Sequence, residues 1–458
     1  MFTRSRREFL KDTLRSVTAL GAVGSLAKFG EMNALAAGSS NYQALVCIFL
    51  LGGNDGHNTV VPITTAQQNY SLYAQGRGGL AIPQGSLLPI ANGSDTYGLH
   101  PSLVEIQQLY TQGHAAVLAN VGMLVQPMTR AAYLSNNNSA LIPSALFSHS
   151  DQSAQWQTGI PAGTGSSGWG GRITDLVQSQ NSAAIFPPVT ATSGCELFCT
   201  GVNTSPASVP PPYNGSPSPT GMATLSGLSS ATTAGMQQLL QFTNGVQLVQ
   251  SVNTVMTNGN NYANTLTGLL SSATPLKTVF PANNPLAAQL NTVANVMAVR
   301  TQLGLNRQVF FCLLDGFDTH SAQVETQTPL LQQLSQAVLA FYQATQELGI
   351  DGSVTTFTAS EFGRTLTPSG VDGSDHAWGN HHFIIGTGVK GGQFYGNFPL
   401  LAPGGINDAG TRGVLLPTTA VDQYGATLAQ WFGVAPTSLP TVFPNVANFG
   451  SSNLGFLG

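Results

Sequence analysis

Five continuous apolar runs, rich in β-branched and aromatic residues, limit the folds that this chain can adopt. Each run is four to eight residues long, which is the usual length of a buried strand. A strand with one face in solvent alternates apolar and polar residues, whereas a continuous run predicts a strand covered on both faces. The predicted strands are residues 44–51, 115–121, 309–314, 354–358 and 383–386.

Stretches with helical periodicity separate most of these runs. Strands that alternate with helices form a sheet with helices on both faces, and continuous hydrophobicity favours parallel strands. The sequence therefore predicts an α/β fold, a parallel-sheet sandwich. The predicted helices are residues 101–112, 151–157, 286–303, 321–348 and 421–432.

Charged residues are scarce. The 458 residues include 15 Lys or Arg and 19 Asp or Glu, a charged fraction of 7%, against roughly 25% in an ordinary soluble domain. A net charge of −4 without basic clusters argues against nucleic-acid binding, which needs several Lys or Arg to neutralise phosphates. The apolar fraction of 42% supports a large core and excludes disorder of the whole chain.

The first 36 residues follow the three-part pattern of an export signal. Residues 5–11 (Ser-Arg-Arg-Glu-Phe-Leu-Lys) match the twin-arginine pattern, residues 16–29 are modestly apolar, and residues 34–36 (Ala-Leu-Ala) have the spacing of a cleavage site. We expect a twin-arginine signal peptide over residues 1–36, which engages the twin-arginine export machinery, and a periplasmic or secreted mature protein. The alternative is an amphipathic helix that stays on the protein.

Residues 37–458 are expected to form one domain with an insertion over about residues 193–303. Residues 193–220 are rich in Ser, Pro and Gly and predict a surface loop. The following residues up to 303 have a helical period and are expected to cover the functional edge of the sheet. No segment after the leader has eighteen uninterrupted apolar residues, so no membrane span is expected. The sequence leaves open whether Cys195 and Cys199 form a disulfide, and it does not indicate the oligomeric state.

Acidic residues and histidines gather at the strand ends, where open α/β sheets bind their ligands. Asp55 follows the first predicted strand, and Asp318 and His320 follow the third. Glu361 follows the fourth, and a histidine-rich segment, residues 374–382, precedes the fifth. So many ionisable groups at one edge, in a chain with so few of them, predict a functional site.

Carboxylates together with imidazoles are the ligands of Zn²⁺, Mn²⁺ and similar Lewis acids. The alternative is that each side chain separately caps a turn. Asp375 and His382 each adjoin another candidate in the sequence, and sequence neighbours rarely both bind the same ion. One of these two can therefore instead hold a metal-binding side chain in place. The predicted metal ligands are Asp55, Asp318, His320, Glu361, Asp375, His376 and His381.

Ser148 is the candidate nucleophile. It stands at the start of the predicted helix over residues 151–157, where backbone N–H groups and the helix dipole favour an alkoxide and a bound phosphate or sulfate. The alternative is an ordinary N-cap serine. His149 is a second catalytic candidate that can orient a substrate oxygen or simply pack, and Arg364 is a third that can clamp an anionic group.

Five motifs of this chain together resemble the bacterial family called domain of unknown function 1501. They are residues 52–58 (Gly-Gly-Asn-Asp-Gly-His-Asn), 99–103 (Leu-His-Pro-Ser-Leu), 316–320 (Gly-Phe-Asp-Thr-His), 360–365 (Ser-Glu-Phe-Gly-Arg-Thr) and 374–382 (Ser-Asp-His-Ala-Trp-Gly-Asn-His-His). The resemblance spans the mature chain. Members of this family commonly carry a twin-arginine leader, as this chain does.

The family in turn resembles the alkaline phosphatase and sulfatase superfamily, which implies a parallel α/β sandwich with metals at the strand ends. In this resemblance Asp55 matches the metal ligand of the first strand, and Ser148 matches the nucleophile. Asp318 and His320 match an Asp/His ligand pair with shorter spacing. Phe362 stands where a ligand His is expected.

The residues and the resemblance lead us to expect an exported metal-dependent hydrolase of phosphate or sulfate esters. The expected cofactor is a divalent metal ion, zinc or manganese, and the expected partner is a small anionic ester substrate. One alternative is a non-catalytic periplasmic or secreted binding protein that keeps the fold, and another is a purely structural surface protein.

Overall fold

The strands are built largely from the apolar runs. The computed structural model describes residues 42–135, 139–161, 165–193, 197–212, 218–222, 225, 229–242, 245–370 and 372–458. The strands in these ranges are β1 (Gln43–Leu51), β2 (Val60–Thr64), β3 (Leu88–Asn92), β4 (Asp95–Leu99), β5 (Ala115–Gly122), β6 (Val189–Ala191), β7 (Ala207–Ser208), β8 (Arg307–Asp315), β9 (Val354–Ala359), β10 (Asn380–Ile385), β11 (Phe394–Tyr395) and β12 (Thr419–Ala420). The five predicted strands are confirmed as β1, β5, β8, β9 and β10.

Helices connect most of the strands of the large sheet. In the described ranges they are α1 (Gly56–Thr59), α2 (Tyr70–Arg77), α3 (Val104–Thr111), α4 (Arg130–Leu134), α5 (His149–Thr158), α6 (Trp169–Leu176), α7 (Ser230–Gln241), α8 (Gln247–Ser272), α9 (Pro285–Ala298), α10 (Gln323–Glu347), α11 (Val421–Phe432) and α12 (Leu439–Val442). The five predicted helices are confirmed as α3, α5, α9, α10 and α11, with ends shifted by up to five residues. No helix in the described ranges is long and apolar enough to cross a membrane.

The large sheet has nine strands in the order β11-β5-β10-β9-β1-β8-β6-β7, with β12 beside β5. Alternate residues of β1, such as Cys47 and Phe49, join a core cluster with residues of α6 and α11. Their neighbours Ile48 and Leu50, on the opposite face of the strand, are equally buried. The sheet is therefore covered on both faces, as the continuous apolar runs predict.

One strand of the large sheet departs from the parallel arrangement. β10 is antiparallel to both of its neighbours, β5 and β9, while the other pairs recorded in this sheet are parallel. Because of this direction, β10 begins at the edge where β1, β8 and β9 end. The histidine-rich segment that precedes β10 therefore meets the loops that follow the other strands.

A second sheet was not predicted. It is antiparallel, with the order β2-β4-β3, and a two-residue turn at Gly93, whose φ is +61°, joins β3 to β4. Its strands carry Pro62 and Pro89 and several polar residues, which weakens the strand pattern in the sequence.

The segment over residues 193–220 is not entirely an irregular surface loop. β7 lies inside it and pairs with β6, and Val209 just after it is completely buried. Prolines flank this short strand at positions 206 and 210, which suits the edge of a sheet, where a missing N–H leaves no ladder bond unmade. The prediction is wrong at β7 because pairing with β6 overrides the loop-like composition.

Two sets of predictions fall outside the described residues. The leader over residues 1–36 lies there and stays a prediction. Cys195 also lies there, while Cys199 is buried, so the disulfide between them stays a prediction as well.

A buried carboxylate in α11 gives the stability of this fold a pH dependence. Burial raises the pKa of Asp422 from 3.8 to about 7. The native state therefore keeps a proton that the unfolded chain releases above pH 3.8. This contribution to stability is complete at pH values below about 4 and is lost as the pH rises towards 7, at about 1.4 kcal/mol per pH unit.

We expect the Asp422→Asn variant to lose this part of the pH dependence, because the amide does not ionise. Urea unfolding between about pH 4 and pH 8 measures the free energy of unfolding at each pH. The exposed carboxylate Glu325 provides the control, and Glu325→Gln should follow the wild-type profile. A wild-type slope in Asp422→Asn would contradict the assignment to Asp422.

Candidate metal centre

Three side chains from distant parts of the chain meet where the strand ends converge. Asp318 follows β8, His376 precedes β10 and His149 is the first residue of α5. Each offers one ligand atom, and these three atoms lie within 4.8 Å of one another. His149, Asp318 and His376 are called the metal centre below.

Gly52, directly after β1, allows the loops of the centre to approach one another. Its φ of +114° lies in the region that favours glycine. A Cβ atom at this position would lie 2.3 Å from the backbone nitrogen of Asp318. A larger residue would therefore push the Asp318 loop away from the end of β1.

His149 of the metal centre is oriented by Glu361. Its Nδ1 lies 2.9 Å from Oε1 of Glu361, and its Nε2 lies 3.5 Å from Oδ2 of Asp318. Because a carboxylate only accepts, the Nδ1 atom carries the proton, and in the neutral ring Nε2 keeps its lone pair. This Nε2 is buried without a hydrogen-bond partner among the described residues. The hydrogen bond to Glu361 raises the pKa of His149 against the opposing effect of burial.

His376 has the same arrangement with a different acceptor. Its Nδ1 lies 2.8 Å from the carbonyl oxygen of Phe147, so Nδ1 donates and Nε2 of the neutral ring holds the lone pair. Nε2 lies 3.3 Å from Oδ1 of Asp318 and 2.9 Å from Nε2 of His320. Burial lowers the pKa of His376, which favours the neutral form that a metal ligand requires.

Phe362 supports both imidazoles of the centre. Its ring stacks on His376 with centroids 4.5 Å apart and lies 4.9 Å from the ring of His149. The resemblance implies a metal-binding histidine at this position. The structure has an aromatic ring there, which packs against the two imidazoles instead.

Asp318 faces both histidines and is held from behind by Arg364. Its side chain is 48% exposed, and its Oδ1 accepts a hydrogen bond of 2.5 Å from Nη2 of Arg364. Burial alone would raise the pKa of Asp318, but the hydrogen bond and charge of Arg364 lower it, and the charges of His149 and His320 act in the same direction. Asp318 is therefore an ionised, accessible carboxylate.

The guanidinium of Arg364 is almost completely buried and donates to protein groups. Besides Asp318, it donates to the carbonyl oxygens of Gly52 at 2.5 Å, Gly53 at 2.9 Å and Ser374 at 2.8 Å. These contacts join the loop after β1, the loop after β8 and the segment before β10. The geometry makes Arg364 a positioning group, and the role as an anion clamp stays a prediction.

Glu361 lies behind the metal centre and is fully buried. Its Oε1 accepts hydrogen bonds from the backbone N–H of Gly52 at 2.8 Å and from His149. Ser360 contacts its Oε2 at 3.4 Å. The structure thus places Glu361 in contact with a candidate ligand, where it fixes the tautomer of His149.

His320 and Asp375 lie on the open side of the centre. The side chain of His320 is 47% exposed, its Nε2 lies 3.1 Å from Asp318, and its Nδ1 lies 3.5 Å from Asp375. Asp375 is also hydrogen-bonded to Arg412. The two residues therefore extend the centre towards solvent.

Of the seven predicted ligands, Asp55 and His381 make none of the recorded contacts with His149, Asp318 or His376. Asp55 is buried in an ion pair with Arg77, and His381 is buried with its ring stacked on Phe398 at 4.7 Å. Nδ1 of His381 accepts the backbone N–H of Asn120 at 3.1 Å. Burial, together with the nearby His57, lowers the pKa of His381 to about 3.

Ser148 is the N-cap of α5. Its hydroxyl accepts from the backbone N–H of Asp151 at 3.5 Å and donates to the Asp151 carboxylate at 2.5 Å. The N-cap interpretation is thus present in the structure. A serine hydroxyl that donates to a carboxylate is also the arrangement of an activated nucleophile, so the geometry is compatible with both interpretations.

The metal centre fits a divalent transition-metal ion. Histidines that bind metals usually donate their second ring N–H to a carboxylate or a backbone carbonyl. His149 does so to Glu361, and His376 does so to Phe147. Two imidazole nitrogens and one carboxylate oxygen form a ligand set common for zinc.

The sequence does not predict some of the contacts that shape the site. The catalytic role of His149 stays a prediction, but its place 3.5 Å from Asp318 has no signal in the sequence, because nothing there shows that α5 starts near the loop after β8. Arg77 and Gln323, which contact Asp55, were not selected at all. The one signal for Arg77 was the scarcity of basic residues, which makes each of them a candidate for a specific role.

Fold and site together define an α/β protein with a candidate metal centre at the carboxyl edge of its parallel strands. The family model described as protein of unknown function (DUF1501) matches residues 42–411. The match covers most of the chain, so the chain belongs to this family, and the resemblance of its motifs to that family is confirmed. No curated protein matches the chain.

Several solved structures are similar to this protein at low sequence identity. Lipoteichoic acid synthase LtaP from Listeria monocytogenes is 7% identical, with a TM-score of 0.34 over 86% of this chain and 72% of that chain. Alkaline phosphatase from the Antarctic bacterium TAB5 is 11% identical, with 0.28 over 76% and 92%. A putative sulfatase from Bacteroides thetaiotaomicron is 10% identical, with 0.27 over 87% and 74%. Similarity at these TM-scores carries no conclusion about activity, which has to come from the residues of the site.

The contact between His149 and Glu361 predicts a measurable effect on ionisation. Glu361→Gln keeps the shape of the side chain and an acceptor for Gly52, but it removes the negative charge. Because the bond to the carboxylate is the main cause of the raised pKa of His149, we expect this pKa to fall. NMR titration of the imidazole signals in the metal-free protein measures it.

The exposed Glu325→Gln is again the control and should leave the pKa of His149 unchanged. An unchanged pKa in Glu361→Gln as well would show that the contact between His149 and Glu361 does not control the ionisation of this ring.

Proposed function

We propose that this protein is an exported metal-dependent hydrolase of phosphate or sulfate esters. The observation that carries the proposal is the metal centre, where ligand atoms of two histidines and a carboxylate lie within 4.8 Å of one another. The leader pattern over residues 1–36 supports export by the twin-arginine route to the periplasm or beyond.

His149, Asp318 and His376 would hold the ion, and their chemistry favours zinc or manganese. A divalent ion bound there supplies positive charge that polarises a non-bridging oxygen of an ester. Glu361 and the carbonyl of Phe147 hold the two imidazoles in the tautomers that binding requires. Arg364 holds Asp318 in place through its contact with Oδ1.

Ser148 is the proposed nucleophile, and Asp151 is its base. The hydroxyl already donates to Oδ2 of Asp151 at 2.5 Å, so the carboxylate takes the proton as the oxygen attacks phosphorus or sulfur. Ser148 directly precedes His149 in the chain, and it lies at the N-terminus of α5, where backbone N–H groups favour negative charge.

His320 is the proposed acid for the leaving group. It is the more exposed of the imidazoles around Asp318, with 47% of its side chain accessible, so it can reach a group that departs towards solvent. As the bond between the ester oxygen and phosphorus or sulfur breaks, His320 gives that oxygen a proton. Water then hydrolyses the serine ester: it attacks phosphorus or sulfur and gives a proton back to His320, the bond to the serine oxygen breaks, Asp151 returns its proton to that oxygen, and phosphate or sulfate leaves.

The two interpretations of Ser148 predict different outcomes for Ser148→Asn. Asparagine is as good an N-cap as serine, so the free energy of unfolding should stay close to wild type. If Ser148 attacks the ester, kcat on an aryl phosphate or aryl sulfate should fall by about 10³-fold or more.

Ser229 provides the matched control, because its side chain also accepts a backbone N–H as the N-cap of a helix, α7. Ser229→Asn should change neither stability nor turnover. Full turnover in Ser148→Asn would assign Ser148 to capping alone.

The metal requirement is tested with Asp318→Asn. We expect purified wild-type protein to contain a transition metal by elemental analysis and to hydrolyse at least one of an aryl phosphate, a phosphodiester and an aryl sulfate. Asp318→Asn should lose both the metal and the turnover, because the amide is a much weaker ligand than a carboxylate. Asp315→Asn, an exposed acid near the end of β8, should keep both. Metal without turnover on the whole panel would favour the binding-protein alternative.

A further inference from the structure

Asp55 stands at the end of β1, yet its carboxylate is directed into the protein. It is 1% exposed. Oδ1 accepts the backbone N–H of His57 at 3.1 Å, which caps α1, and Oδ2 accepts from Arg77 and from the amide of Gln323. Both oxygens are therefore satisfied by protein donors.

Arg77 is held in place as firmly as its partner. Its side chain is completely buried. Nε donates to Oδ1 of Asn58 at 3.0 Å, and Nη1 donates to the carbonyl oxygens of Thr365 and Leu366 at 2.9 and 3.0 Å. A guanidinium stays protonated in proteins, so it is a permanent positive charge beside Asp55.

Two further carboxylates at this edge also have protein partners. Asp375 is hydrogen-bonded to Arg412, and Glu361 accepts from Gly52 and His149. In the described part of the chain, the metal centre is the one group of three or more acidic, histidine or cysteine side chains with converging ligand atoms. Among the carboxylates named here, Asp318 is therefore the one that lies close enough to His149 and His376 to bind an ion together with them.

The pair of Asp55 and Arg77 is nevertheless connected to the metal centre. Gln323 donates to Asp55 and accepts from the hydroxyl of Ser374 at 2.5 Å. The carbonyl of Ser374 accepts from Arg364 at 2.8 Å, and Arg364 donates to Asp318. This series of contacts runs from the loop after β1 to the ligand carboxylate without passing through solvent.

We infer that the Arg77 guanidinium occupies the Asp55 carboxylate, so that Asp55 does not bind a metal ion. This edge of the sheet then binds one divalent ion per chain, at the metal centre. Asp55 is then a positioning residue, which acts on Asp318 through Gln323, Ser374 and Arg364. The inference rests on the proposed function only for the presence of an ion.

The first test is the stoichiometry of Zn²⁺ or Mn²⁺ bound to the wild-type chain, by elemental analysis after dialysis and by calorimetric titration of the metal-free protein. One ion per chain is the expected result. Two ions would overturn this inference and leave the proposed function standing. No bound ion would overturn the proposed function, and with it the inference.

The second test is the double variant Asp55→Asn with Arg77→Met. Removing one partner of a buried ion pair leaves an uncompensated charge, whereas replacing both is far better tolerated. The double variant should still bind one ion, and its affinity for the ion should fall by at most about 100-fold. Losses of about 10–100-fold are typical when a residue that only hydrogen-bonds to a metal ligand is replaced.

Asp318→Asn under the same conditions should bind none, and Asp315→Asn should bind like wild type. Circular dichroism and thermal unfolding show whether each variant is folded. A folded double variant that binds no ion would make Asp55 a ligand and overturn the inference. If the double variant does not fold, the wild-type stoichiometry still decides between one ion and two.

Discussion

The buried guanidinium of Arg364 is the interaction on which the site depends. It satisfies two carbonyl groups after β1 and one before β10, and it reaches Asp318 after β8. A buried charge needs several partners to offset its lost hydration. Because these partners belong to three separate segments, satisfying the charge also brings the three segments together. The positions of Asp318 and of the segment that carries His376 thus depend on satisfying one cation inside the protein.

Although charged residues are scarce in the chain, three aspartates near the carboxyl edge of the sheet each contact an arginine. Asp55 contacts Arg77, Asp375 contacts Arg412, and Asp318 contacts Arg364. These pairs differ in burial, and the difference separates their roles. The pair of Asp55 and Arg77 is closed to solvent, whereas Asp318 keeps 48% of its side chain exposed and can bind a ligand while Arg364 holds it.

The sequence was sufficient for the main strands and helices, because continuous apolar runs and helical periods are local signals. It was not sufficient for the small sheet, whose strands β2 and β3 contain prolines and whose strands carry several polar residues. It was also not sufficient for β7, which pairs with the edge of β6. The sequence predicts Asp318, His320, Glu361 and His376 as candidates because acids and histidines are rare in this chain and these residues follow or precede strands. The pairing of Asp55 with Arg77 had no local signal, since the residues are 22 positions apart and meet only through the packing of α2.

The sequence by itself determined the α/β class, the main strands and the edge at which ionisable groups gather. The tertiary structure decided which of those groups act together. The antiparallel direction of β10 carries His376 to the ends of β8 and β9, and the start of α5 carries His149 to the same place. Ligand geometry depends on distances between residues far apart in the chain, and such distances are set by strand order and direction, which composition and spacing do not contain.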